Sequence, residues 1–256
     1  MKRYSSLFPI VFVVLFAFSS LGSAASLPGT IQLDLSQPSL NEEKEKDPVL
    51  EKYNEVMQEI KISDEATEVV EKIKNAVSGI QTITMDVEVT EMRGQRIERV
   101  FVHLLASVED VIARVEFLEP SAMRGQILVA EQEKMEVRIY QPINNQIAVR
   151  GLEDASKEVL STLSIADLNT FFDFSQYSVD VLEVVEVEGV TTYQLEVVTE
   201  DELLHVSVKD DTWFPHEITV VEGEPPGSLV ISNVVIDPEL SAEELTSLPR
   251  AKEVRM

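Results

Sequence analysis

The sequence predicts a mainly β fold: one strongly curved antiparallel sheet, or open barrel, of about ten or eleven strands covered by α-helices. Three observations predict it. From Ile80 onward apolar residues recur at every second position, whereas ahead of Gly79 they recur at helical spacing. Turn residues separate the alternating runs at short intervals. The runs set apolar residues on one side and polar residues on the other, the pattern of a sheet with one face on a core.

The chain opens with Lys2 and Arg3, an apolar run from Leu7 to Phe18, and the small residues Ser19 to Ala25. Charge, apolar run and small residues in that order are the pattern of a secretory signal peptide. Residues 1–25 are read as that signal, cut after Ala24 or Ala25. The apolar run is shorter than the ~20 residues a membrane span needs. Residues 26–46 hold Pro28, Gly29 and Pro38 and end in the charged run Asn41 to Lys46, so they read as a flexible linker. Residues 47–240 are read as one domain, and residues 241–256 as a short charged tail.

Two helices start the domain. Asp47 caps the first, Pro48 takes its first position, and Val49, Tyr53, Val56, Met57 and Ile60 form its stripe. Ser63 caps the second, with Asp64 and Glu65 where the helix dipole favours anions. Its stripe is Ala66, Val69, Val70, Ile73 and Val77, and Gly79 is read as its C′ glycine.

The strands follow. In the first, Ile83, Met85, Val87 and Val89 alternate with Thr84, Asp86, Glu88 and Thr90. Val100, Val102 and Leu104 face inward in the second, and Val115 and Phe117 in the third, which runs over 111–118. Residues 126–130, 135–140 and 146–150 supply three more, with Val137 and Ile139 inward. Residues 164–174 then read as a short helix rich in Phe, and strands resume over 177–187, 191–199, 203–208, 217–221 and 229–236.

Composition excludes several function classes. The net charge is −25, from 21 basic and 46 acidic residues. That field repels nucleic acid and anionic headgroups, so neither is an expected partner. There is no cysteine, which removes disulfides, thiol nucleophiles and the lipid-anchoring cysteine of a lipoprotein. An exported chain with neither disulfide nor anchor points to the periplasm. His103, His205 and His216 are far apart in sequence, so no metal site is expected. No nucleophile elbow, phosphate loop or dinucleotide fingerprint occurs, and the sequence reads as neither an enzyme nor a cofactor binder. The lone Trp213, beside Phe214 and Pro215, reads as a packing residue.

One stretch carries a resemblance. Phe117-Leu118-Glu119-Pro120-Ser121-Ala122-Met123-Arg124-Gly125-Gln126 ends one strand at a Pro and starts the next after a Met-Arg-Gly turn, and Tyr140-Gln141-Pro142 closes the strand after that. This resembles the LolA-like outer-membrane lipoprotein-sorting and lipoprotein carrier proteins over roughly Ser63 to Ile236. The hairpin Ala106 to Asp110 lacks the Arg-Pro pair that the family's carriers hold there.

The resemblance implies an incomplete, half-open antiparallel barrel closed by helices, with an apolar cavity for acyl chains. The expected lining is Met85, Val87 and Val89 on the first strand and Val100, Val102 and Leu104 on the second. Val115, Phe117, Val137 and Ile139 follow on later strands. Phe171, Phe172 and Phe174 in the Phe-rich helix are too apolar for an ordinary surface loop, so that segment is expected as a lid or plug over the open barrel. The implied partners are an acylated lipoprotein or lipid, with membrane-bound donor and acceptor proteins, and the implied state is a monomer. The alternative is a regulatory or interaction module of the envelope, built on the same fold and carrying nothing.

Overall fold

The computed structural model describes residues 61–152, 172–199, 201–223 and 225–255. The expected signal, linker and first helix, and most of the Phe-rich helix including Phe171, lie outside the described residues.

Helix α1 spans Asp64–Ser78. The Ser63 hydroxyl accepts from the Ala66 amide at 3.2 Å, satisfying one of the amides a helix start leaves without a partner. The stripe Ala66, Val69, Val70, Ile73 and Val77 is buried as its spacing requires. Gly79 corrects one expectation. Its φ is −98°, in the right-handed region, so the helix ends without a left-handed glycine cap. The chain turns directly into the sheet, with the Ile80 amide donating to the Val77 carbonyl.

Eleven strands follow in chain order: β1 (Thr82–Arg93), β2 (Arg96–Ser107), β3 (Ile112–Glu119), β4 (Ile127–Glu131), β5 (Glu136–Gln141), β6 (Gln146–Gly151), β7 (Ser178–Val187), β8 (Val190–Val198), β9 (Leu203–Lys209), β10 (Pro215–Glu222) and β11 (Gly227–Ile236). A 3-10 turn, Phe174–Gln176, leads into β7. A short helix α2 (Ala242–Thr246) and a twelfth strand β12 (Lys252–Arg255) end the described chain.

All twelve strands form one sheet in the order β12-β6-β5-β4-β3-β2-β1-β11-β10-β9-β8-β7. Its ends, β12 and β7, do not pair with each other, so the barrel stays open. Neighbours pair antiparallel throughout, except that β12 runs parallel to β6. The seam is β1, which pairs with β2 on one side and with β11 on the other, joining the two halves of the chain.

The fold is the predicted one, an open, mainly β sheet, with twelve strands where about ten or eleven were expected. The additional strand comes from the segment read as a charged tail. Ser241 opens α2 with a reciprocal capping box to Glu244. The helix lies on the outer face against β2 and β3, with Leu245 fully buried. Two arginines from the sheet hold its end: Arg114 donates to the Ser247 carbonyl, and Arg138 donates to the Thr246 carbonyl at 2.9 Å. Cations at a helix C-terminus satisfy carbonyls that have no partner within the helix.

Candidate functional site

The side chains of β1 to β5 fall into cross-strand rows because their register is continuous. Met85 faces Leu104, Leu104 faces Val115, Val115 faces Leu128, and Leu128 faces Ile139. Beside this row, Val87 faces Val102 and Val102 faces Phe117. Val89 pairs with Val100, and Val137 with Ala130. The sheet thus places all ten of the expected strand residues on one face. Nine are buried, at 0–5% exposure, and Ile139 is half-buried against the same core.

The same face continues across β11 to β7. Val89 faces Leu229, Leu229 faces Ile218, Ile218 faces Val206, and Val206 faces Leu195. The expected lining does not include these residues, although their alternation has the same signature: Leu204, Val206 and Val208 are buried while His205 and Ser207 are only half-buried.

The two halves of the inner face are covered differently. At the β7 end the cover is aromatic and helical. Phe172 is 1% exposed, with its ring centroid 5.0 Å from that of Phe214 and 6.5 Å from that of Phe174. Trp213 packs at 5.5 Å from Tyr193, and Lys72 of α1 sits 4.5 Å above its ring. Phe172 is therefore packed among core aromatics. The β1–β5 half is aliphatic apart from Phe117.

The residues that carry the sequence motif meet in space. The Gly125 amide donates to the Phe117 carbonyl, and the Gly125 backbone has φ +81°, which favours glycine. Pro142 Cγ lies 3.7 Å from the place a Cβ on Gly125 would take. Met123, inside this turn, sends its side chain into the core at 4% exposure. The motif is thus a packed corner between β3, β4 and the end of β5.

Two carboxylates at the margin of the sheet have no counterpart in the sequence reading. Glu91 continues the Val87-Val89 row and is fully buried. Glu202, before β9, is 8% exposed, and burial with the nearby Asp201 charge pushes its carboxyl up to about 7. No motif marks either residue; their burial comes from strands distant in sequence.

The outer face is polar over β1 and β2. Arg99 bonds Glu88 at 2.6 Å. Asp86 shares a 2.6 Å hydrogen bond with His103 Nδ1 and accepts from Asn233 Nδ2 at 2.7 Å. Partial burial pushes the Asp86 carboxyl up, but these bonds outweigh it and hold the group below its ordinary value. His103, His205 and His216 stand on three different strands. Among the described residues, no helix is long and apolar enough to cross a membrane.

No family model and no curated protein matches the chain. Solved structures do. An uncharacterized conserved protein from Thermus thermophilus is 16% identical, with a TM-score of 0.49 over 75% of this chain and 100% of that one. A LolA superfamily protein from Nitrosomonas europaea is 13% identical, with a TM-score of 0.35 over 71% and 97%. The lipoprotein LppX of Mycobacterium tuberculosis is 12% identical, with a TM-score of 0.45 over 70% and 99%. The likeness to LolA-like proteins is one of fold. At such identities it assigns no residue of this chain a role.

Proposed function

We propose that this protein is an exported envelope protein that binds acyl chains, holding the hydrocarbon of a lipid or an acylated lipoprotein against the β1–β5 half of its inner face. One observation carries the reading: the row from Met85 through Leu104, Val115 and Leu128 to Ile139 crosses five strands without a polar side chain. An unbranched chain requires such a surface, long, aliphatic and free of directional partners. Each buried methylene contributes ~0.8 kcal/mol before costs. A chain burying a dozen of them gains roughly 10 kcal/mol gross, and ordering the chain brings the affinity to about micromolar. That strength permits release as well as capture. The function proposed is binding and carriage, without covalent chemistry.

The lining is closed over in the structure, which favours the second reading, an interaction module with a filled core. Methyl NMR with isotope-labelled methionine separates the two. On titration with palmitate the Met85 and Met123 methyls, buried in the core, shift saturably, while the exposed Met92 and Met135 do not. Lipid extracted from the protein purified out of its native envelope identifies the cargo. If the core methyls stay unmoved and no lipid co-purifies, the carrier reading fails and the interaction module stands.

A further inference from the structure

The two ends of the open sheet are treated differently. The β6 end is closed by the chain itself, through β12. The β7 end is closed only at its start. Ile62 bridges Val179 in parallel, with the Ser63 amide donating to the Val179 carbonyl at 3.1 Å and the Val179 amide to the Lys61 carbonyl at 2.9 Å. The chain then leaves into α1, and the pairing of β7 with β8 shifts register between Val181 and Glu183. Beyond that bulge, residues 182–187 have β8 on one side and no further strand among the described residues on the other.

Those six residues are unusual for a sheet edge. All are exposed, and four are large and apolar: Leu182 at 46%, Val184 at 45%, Val185 at 41% and Val187 at 62%. An edge presents a row of amides and carbonyls ready to pair, and chains ordinarily blunt it with Lys or Pro. Neither occurs from Asp180 to Val190. The charges present are Asp180, Glu183, Glu186 and Glu188, all exposed and without an ion pair among the described residues. Between Lys157 and Lys209 the sequence holds eleven acidic residues and no Lys or Arg.

We propose that the edge of β7 from Leu182 to Val187 is a docking edge for an extended, cationic segment of a partner protein, which adds to the sheet as a further strand. The backbone supplies the hydrogen bonds, the exposed Leu and Val side chains supply apolar contact, and the glutamates select the sign of the partner. Charge decides among the occupants. A second copy would set Glu183 and Glu186 against their own counterparts, in a chain of net charge −25. An anionic surface is repelled for the same reason. A segment alternating apolar and basic residues meets both features at once. This inference is independent of what the inner face holds.

The test uses the protein lacking only its signal and a dye-labelled peptide of about ten residues alternating Lys and Val, long enough to span the edge. Binding read by fluorescence anisotropy is saturable at low salt and weakens about tenfold or more at physiological salt. Deuterium exchange slows at 182–187. The variant E183K/E186K/E188K, altered only at exposed positions, keeps the native melting temperature and loses binding about tenfold or more. The same peptide N-methylated throughout, which keeps its charges but lacks backbone donors, does not bind. Binding that survives charge reversal or N-methylation overturns the proposal, as does exchange protection located elsewhere. A native protein that dimerises through β7 overturns it in favour of a second copy.

Discussion

Phe172 meets Phe214 edge-on, with ring centroids 5.0 Å apart and planes at 68°. The contact ties the segment ahead of β7 to the start of β10 and fixes the cover of the inner face at that end. Phe172→Ala therefore removes core volume. The expected cost is about 3–5 kcal/mol in denaturant unfolding, with the aliphatic half of the face left intact. Unchanged stability would mark Phe172 as a lid.

The C-terminal strap should stabilise the sheet from its outer face. Leu245 is fully buried there, and Leu245→Ala is expected to cost about 2–5 kcal/mol. Arg138 also bonds the buried Glu131 at 2.5 Å, so Arg138→Ala leaves that carboxylate with one cation fewer and the Thr246 carbonyl without a donor. A chain ending at Asp237 loses β12 and exposes the edge of β6. Light scattering during thermal unfolding should then show aggregation at lower temperature than for the full chain.

Glu202 makes stability fall with rising pH. Its carboxyl moves from an ordinary 4.5 to about 7 in the fold, burial being the larger cause. The native state therefore holds this proton more tightly than the unfolded chain does. Its contribution is complete below about pH 4.5, declines up to about pH 7, and is flat above that. Glu202→Gln should flatten this slope and raise stability at pH 8, by about 3 kcal/mol at most. Chemical denaturation of both proteins at several pH values measures it; parallel pH curves would show that Glu202 is not the source.

Gly227 faces Glu91 across the seam between β1 and β11. A Cβ on it would stand 2.5 Å from the Thr90 carbonyl oxygen and 3.4 Å from the Glu91 Cα. Neither is a flexible side-chain end, so Gly227→Ala must push the strands apart. A loss on the order of 2 kcal/mol or more is expected, with faster amide exchange at Thr90 and Glu91. Gly94, which has open space at the β1–β2 turn but a φ of +62°, provides the contrast: Gly94→Ala strains only a local turn and should cost less.

The sequence by itself determined the elements whose signal is local. The alternation in β1, β2 and β9 and the stripe of α1 were legible because burial there follows from a period of two or of 3.6, set by backbone geometry within one element. The ten strand residues of the expected lining share a face for that reason. Other decisions belonged to the tertiary structure alone. The tail became α2 and β12 because Arg114 and Arg138 reach carbonyls 133 and 108 residues away along the chain, and no period in the tail reports partners at that distance. Glu202 acquires its shifted carboxyl from burial supplied by the assembled sheet, and Phe172 became core because Phe214 arrives from another strand. Sequence pattern fixes which way a side chain points within its own element; what it meets there depends on chain closure over tens of residues to more than a hundred, and only the assembled sheet supplies that.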